Sequence, residues 1–391
     1  MPQTIVLLAG TAREAKTIAP ERAFVRRPPA PGKGIGHQTR YLDAVVRNQT
    51  AQDCARVPPD SARILDRDAC VDRKVQQRHR AHFARVSQTP PGGIAAHLIL
   101  GPREEPFLAA MLASIEDAAS LLLVNDNSAE PSPHAAILRG SRFGVAGSLI
   151  VDCAPFTEFA AARNRCLELH AAHGALPWIM FVDADEVHGE GISAIARALG
   201  GLPPGYDFVD GYTWHLFGSF DYYTSIERRM MFFRYRPGVR WEGAVHERLQ
   251  GLDGKRLALP YVYAHYGHTL TPRRHAEKGR HYSSLGAPGD VLREEELDDL
   301  DVRRYFAPVY PRLLRFRESH PQAALSTTAR LRGELAQHHR LTAEMAARQP
   351  LAIKMRNVVR KANYELRWRA RALDPLARAT VGTPRITRRR G

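Results

Sequence analysis

The residues with the clearest chemical potential are Asp183, Ala184, Asp185 and Glu186, which follow the apolar run PWIMFV. Side chains of a strand alternate between faces, so Asp183 and Asp185 are expected to point the same way. Two carboxylates side by side at the end of a buried strand repel unless a cation or hydrogen bonds compensate. A hard divalent ion does this and keeps positions open for phosphate oxygens and water; a solvated acidic turn is the plain alternative. Asp126, in LLLVNDNSAE, follows another apolar run, where an acidic side chain can accept hydrogen bonds from a ribose or base. A turn former would look the same. FAAARNRC places Arg163 and Asn164 at the front of a helix, where an arginine can meet a diphosphate or lie on the surface. WEGAVHERL gathers Trp241, Glu242, His246 and Glu247, able to supply a metal or phosphate ligand and a general base. HYGH adds His265 and His268, in a chain whose 17 histidines dilute that signal.

The elements that must position these residues begin at Ile94. IAAHLIL (94–100), SLLLVND (120–126), SLIVDC (148–153) and PWIMFVDADE (177–186) read as buried strands, with helical patterns in 101–118, 133–140 and 159–174 between them. Strands alternating with helices imply an α/β fold, a Rossmann-like sheet joined by right-handed crossovers. Such sheets bind ligands beyond the carboxyl ends of their strands, where the acidic residues lie. From about 205 to 270 short aromatic runs (DFVDGYTWHLF, RRMMFFRY, VRWEGAVHERL, LALPYVYAHYGH) predict a mixed or antiparallel continuation of the sheet. Residues 272–349 become helical and charged, with an acidic run at 293–301. Residues 1–93, broken by prolines and glycines and poor in aromatics, predict a poorly ordered extension.

The chain has 391 residues and a formal net charge of +15. Residues 1–93 carry 16 basic and 8 acidic side chains, residues 350–391 carry 12 and 2, and residues 94–349 carry 28 and 31. The excess lies at the ends, not on the domain that holds the carboxylates, which argues against a nucleic-acid partner. Leu351, Ile353, Val358, Val359, Leu366, Trp368 and Leu373 lie among the arginines of 350–391. That pattern suits a helix at an anionic membrane surface, or one packed on the domain. The start MPQTIVLLAG lacks a leading positive charge and its apolar stretch is short, so a cytoplasmic protein is expected, with a peripheral position at the inner face of the membrane within reach of 350–391. Four cysteines without C-x-x-C spacing argue against a thiolate metal site or a disulfide framework.

In order, EEPFLAAMLASI (104–115), LLLVNDNS (121–128), the FAAARNRCLE helix, WIMFVDADE (178–186), VRWEGAVHERL and HYGHTLTPRRHAEKGRHYSSL (265–285) resemble glycosyltransferase family 2, over roughly 94–290. The resemblance implies the type A glycosyltransferase fold, a Rossmann-like mixed, mainly parallel sheet, here in a catalytic domain at 94–290 with a helical C-terminal region and basic tail at 291–391. It implies an inverting transfer of a sugar from a nucleotide-diphospho-sugar, a UDP-sugar foremost, to a hydroxyl of a glycan, lipid-linked or protein acceptor in bacterial surface glycan or glycoconjugate synthesis. Asp126 would contact the nucleotide, and Arg163 and Asn164 would lie on the donor side. Asp185 would bind Mn²⁺ or Mg²⁺, with Asp183 near the ribose or metal and His246 as a further contact. Glu247 would be the base, with Glu242 as its rival. Where family members often read D-D-G-S-x-D-x-T, this chain has Asn125 to Glu130, so one acidic position is an amide. A nucleotidyltransferase on a similar sheet would also use metal-bound carboxylates, but with a glycine-rich basic loop where this chain has GPREEP. A non-catalytic nucleotide-sugar-binding protein would lack the carboxylates.

Overall fold

Eleven strands and eleven α-helices can be followed in the computed structural model, which describes residues 93–128, 131–173, 176–286, 296 and 300–381. The extension expected over 1–93 lies outside these residues apart from Gly93, as do Glu130, most of the acidic run at 293–301 and the tail 382–391.

The first half builds the parallel layer: β1 (Ile94–Leu100), α1 (Leu108–Ile115), β2 (Leu121–Asp126), α2 (Ala135–Gly140), α3 (Arg142–Ala146), β3 (Leu149–Asp152), α4 (Phe159–Ala172) and β4 (Trp178–Val182). These strands run β3-β2-β1-β4 and all pair in parallel. Their near-continuous apolar sequences follow from burial on both faces. β1 and β2 are shielded almost throughout.

The second half turns the sheet over on itself. β5 (Glu186–Val187), α5 (Ile192–Ala198), β6 (Tyr206–Phe217), β7 (Tyr222–Arg234), β8 (Arg240–Glu242), β9 (Arg248–Gln250) and β10 (Lys255–His268) follow in sequence. β7 pairs antiparallel with both β4 and β6, β10 runs parallel to β6, and β5 pairs antiparallel with β10. The order is β3-β2-β1-β4-β7-β6-β10-β5, so the protein has an α/β, Rossmann-like mixed sheet. β6 and β7 join at Gly218, whose φ of +66° suits glycine and whose missing Cβ leaves room for the Thr342 hydroxyl. β8 and β9 form a separate small hairpin.

One sequence expectation needs correction. The strand predicted over 177–186 stops at Val182, and residues 183–186 form a turn in which the Glu186 N–H donates to the Asp183 carbonyl at 3.0 Å. The ladder with β1 ends at Val182, and Glu186 instead joins β10. The alternation of faces therefore does not govern Asp183 and Asp185.

The chain ends in α6 (Pro272–Ser284), α7 (Val302–Tyr305), β11 (Leu314–Arg315), α8 (Leu325–Glu334), α9 (Ala336–Ala347), α10 (Leu351–Arg369) and α11 (Pro375–Val381). α6 has Thr271 accepting from the Arg274 N–H at its start and Pro272 in its first turn, both favourable helix-starting features. The later helices share the sheet's core: Ala324, Leu331 and Leu335 pack with Phe107, Tyr212 and Tyr266, while Ala377 joins the cluster under β1 and β4.

Candidate active site

The carboxyl end of β4 opens into the 183–186 turn, and four other elements converge there. Asp183 Oδ1 accepts from Arg163 Nη2 of α4 at 3.0 Å, and Asp183 Oδ2 lies 3.5 Å from Arg229 Nη2 of β7. Burial alone would raise the Asp183 pKa, but Arg163 and Arg229 hold it below the usual carboxylate value. Asp185 faces different partners. Its Oδ1 is 3.3 Å from His265 Nε2 of β10, and its Oδ2 is 3.7 Å from Lys278 Nζ of α6. Burial again opposes ionisation, yet His265 and Lys278 keep this carboxyl well below its ordinary range. The approach to β10 requires Gly267, because a Cβ there would land on Asp185 Oδ2 and within 2.9 Å of His265 Nε2.

Behind His265 lies a group that sequence reasoning noticed only in part. His215, His265 and His268 each offer a ring nitrogen, all within 4.8 Å of one another, the one such three-residue group among the described residues. His215 and His265 sit opposite each other on β6 and β10, their Nδ1 atoms 3.1 Å apart. Burial pulls all three imidazoles below their usual pKa, with Asp185 opposing it at His265, which favours neutral rings that can bind a metal once the His215–His265 contact is exchanged for it. The buried Nδ1 of His268 has no hydrogen-bond partner. Three neutral imidazoles beside an ionised carboxylate form a donor set that fits a divalent transition metal better than Mg²⁺, which prefers oxygen alone.

On the other side of Asp183, Arg163 extends the network to Glu247. Arg163 Nε donates to Glu247 Oε1 at 2.6 Å, and the guanidinium stacks 3.9 Å from the Phe181 ring. Glu247 gets there because Asn164 grips the β8–β9 hairpin, donating to the Trp241 carbonyl at 2.9 Å and accepting from its N–H at 2.8 Å. Trp241 fills the pocket formed by Phe181 and Phe233. Glu242 points elsewhere; it is exposed and paired with Arg240 of the same strand, 2.6 Å away. His246, with φ of 63°, is exposed and stands outside the histidine group.

Asp126 ends β2 and is fully buried. Its Oδ1 accepts from the Ser128 N–H at 3.0 Å and from the Ser128 hydroxyl, and its Oδ2 accepts from the Ser132 hydroxyl. The structure thus joins Asp183, Arg163 and Glu247 in one network, with Asn164 holding the hairpin that carries Glu247 and Asp185 two residues on paired with His265 and Lys278; Glu242 and His246 are exposed outside these contacts, and Asp126 is engaged within its own loop.

Four residues of the network escaped sequence reasoning, Arg229, Lys278, His215 and Glu105, and Glu186, named with the acidic run, was given no role. Glu186 is buried 3.2 Å from Arg229 Nη1. Desolvation raises its pKa to about 8 against the pull of Arg229. Glu105, 2.9 Å from Arg274, is raised by burial to about 7 with Arg274 opposing. The available signals were Glu105 inside EEPFLAAMLASI and the alternation of β7, which sends Arg228 to Asp210 and Arg229 to the opposite face.

No family model matches the chain, and no curated protein matches it. Among solved structures, Staphylococcus aureus TarS residues 1–349 align at 9% identity over 71% of this chain and 91% of that one, with a TM-score of 0.25. A mannose-1-phosphate geranyltransferase from Thermus thermophilus aligns at 14% identity over 69% and 68%, with a TM-score of 0.23. At these scores nothing about the chemistry of this chain rests on either likeness.

Proposed function

We propose that the protein is a metal-dependent inverting glycosyltransferase acting on a nucleotide-diphospho-sugar, a UDP-sugar foremost, with a glycan, lipid-linked or protein hydroxyl as acceptor. The observation that carries this reading is Asp185: a carboxylate held ionised beside neutral imidazoles, at the carboxyl end of the parallel strands where α/β sheets bind ligands. Asp185, His265 and His268 would hold the ion, with His215 behind them and Mn²⁺ favoured over Mg²⁺ by the imidazole-rich donors. When bound, such an ion neutralises charge developing on the departing diphosphate.

The chain's own residues do the rest. Lys278, beside Asp185, adds positive charge near the diphosphate. Glu247 takes the acceptor hydroxyl proton as that oxygen attacks the anomeric carbon and the diphosphate leaves from the opposite face, through an oxocarbenium-like transition state. Arg163 and Asn164 are positioning residues: the first ties Glu247 to Asp183, the second fixes the hairpin that carries Glu247. Asp183 borders the ribose or metal, and Asp126 shapes the loop facing the nucleotide. A catalytic unit at 94–290 with a helical region after it fits these assignments.

Donor screening by release of the nucleoside diphosphate, with and without Mn²⁺, tests the reading. Asp185→Ala should abolish turnover and metal-dependent nucleotide binding. Glu247→Gln should keep donor binding and lose transfer by about 10²–10⁴-fold, the usual range for general-base catalysis. Glu242→Gln should stay near wild type. Full activity of Asp185→Ala would overturn the metal assignment, and loss in Glu242→Gln alone would move the base.

A further inference from the structure

α10 is fixed to the body of the protein by one face only. Asn357 donates to the carbonyls of Pro311 (3.1 Å) and Leu313 (3.3 Å), and Tyr364 and Trp368 pack on the core beside Tyr212 and Phe316. The Tyr212 hydroxyl donates to the Arg367 carbonyl at 3.4 Å. These contacts set the rotation of the helix, so the composition of its outer face is a structural fact. That face is apolar. Leu351, Met355, Val358, Val359 and Leu366 are between 64% and 73% exposed, and Leu373 just beyond the helix is 83% exposed. Their spacing places them in one stripe over residues 351–366, roughly 23 Å at 1.5 Å per residue, which the basic Arg369 continues in the last turn.

The flanks of the stripe are basic. Helical spacing places Lys354 and Lys361 along one side and Arg356 and Arg367 along the other. The helix contains six basic residues and a single acidic one, Glu365, which pairs with Lys361 (3.6 Å) and Arg369 (3.5 Å). A second copy of this face would set like charges against each other. The amino-terminal residues 1–93, with a net +8, would do the same. The stripe is also a convex ridge on a single helix, not a groove shaped for a protein partner. An interfacial helix of this kind lowers its apolar ridge into the boundary between headgroups and acyl chains while lysine and arginine reach outward to anionic headgroups.

We infer that the outer face of α10 docks the protein on an anionic phospholipid surface, with Leu351, Met355, Val358, Val359 and Leu366 entering the interface and Lys354, Arg356, Lys361 and Arg367 contacting headgroups. No described helix is long and apolar enough to cross a membrane, so the contact is peripheral in kind. The inference stands apart from the transferase reading, since it uses no residue of the proposed active site.

Sedimentation of the full-length protein with phosphatidylcholine vesicles, with and without phosphatidylglycerol, tests it. Affinity for the anionic vesicles should exceed that for neutral ones by at least about 10-fold and fall with salt. Val358→Asp with Leu366→Asp should cut binding to anionic vesicles by about 10-fold or more, and Arg356→Glu with Arg367→Glu should remove the anionic preference. These four residues are exposed, so unchanged melting temperatures are expected and serve as the folding control. Equal or absent binding to the two vesicle types, or full binding by the Asp variant, overturns the proposal. A concentration-dependent dimer dissolved by the same Asp variant would also overturn it and assign the stripe to a second copy.

Discussion

The two halves of the sheet handle buried charge differently. In the parallel half, acidic residues at strand ends are satisfied close to home: Asp126 by Ser128 and Ser132, and Asp152 by Arg165 at 2.6 Å, thirteen residues away. In the mixed half, Glu247 and the acidic groups of the 183–186 turn are held by elements farther off in sequence. Arg163 reaches Glu247 across 84 positions, Arg229 reaches Asp183 across 46, and Lys278 of α6 reaches Asp185. Local satisfaction builds a loop and leaves it complete. Distant satisfaction gathers charges from α4, β7, β10 and α6 into one place, where a ligand can exchange for some of them. Concentrated ionisable groups of this kind mark functional sites more often than locally capped ones do.

The sharpest break between the halves should come from their arginines. Arg163→Met preserves bulk against Phe181 but leaves Asp183 and Glu247 without their shared counter-ion. Unpairing buried charge costs about 3–5 kcal/mol, and the melting temperature should drop by more than about 6 °C. Arg165→Met removes the partner of Asp152 in a pair whose arginine is one-third exposed and screened by solvent, so it should cost about 1 kcal/mol. Similar losses in thermal melts of the two variants would erase the contrast.

Histidines give a second test, through pH. His97 of β1, whose Nε2 lies 3.1 Å from His170 Nδ1 of α4, sits well below the ordinary imidazole value because of burial and its neighbour. Desolvation lowers His170 to about 4 and His188 to about 3. At pH 7 these groups are neutral in both folded and unfolded chains. As pH falls below about 6.5, the unfolded chain takes up protons that the folded one refuses, and stability declines until the folded values are passed. Each such group contributes a slope of up to about 1.4 kcal/mol per pH unit. Denaturant melts at pH 7 and pH 5 should therefore differ by several kcal/mol, and His188→Phe should make the decline shallower. Glu186 and Glu105, raised to about 8 and about 7, gain stability over the same window as pH falls and offset part of the decline, so a His188→Phe profile no shallower than wild type would show that His188 is protonated in the fold.

A smaller effect is expected from Gly267→Ala, which acts on Asp185 without removing it. The new methyl group would press on the carboxylate and on His265. If Asp185 is a metal ligand, the Mn²⁺ concentration for half-maximal activity should rise about 10- to 100-fold, as when a ligand's support is disturbed. An unchanged Mn²⁺ requirement would separate Asp185 from the metal.

What the sequence made legible follows the same division. IAAHLIL, SLLLVND and SLIVDC announce strands because burial on both faces forces continuous apolar runs, and the strands lie within a residue of those bounds. The acidic residues at the ends of such runs are equally plain. The partners of those residues are not. Alternation along β7 tells that Arg228 and Arg229 face opposite ways, but not that Asp183 and Glu186 wait on one side. Glu186 leaves β4 because β10 offers it a ladder position opposite His265, 79 positions later. Nothing near residue 186 encodes that. Glu242 and Glu247 look equivalent on paper; Asn164 and Trp241 decide that the second turns inward.

Asp126 is where the two halves can be told apart most finely. Its carboxylate accepts three hydrogen bonds within residues 126–132, and an amide in its place has one oxygen to offer instead of two. If loop building is its whole role, Asp126→Asn should cost about 1 kcal/mol of stability, the worth of one hydrogen bond, and leave donor KM within about threefold. A direct contact to ribose or base predicts the opposite division: an unchanged melting temperature and a donor KM raised about 10-fold, since a hydrogen bond to a charged group contributes about 1.5–3 kcal/mol. Measuring both quantities on the one variant separates a residue that shapes the donor loop from one that touches the donor. It also tests whether local satisfaction at a strand end excludes a residue from the chemistry.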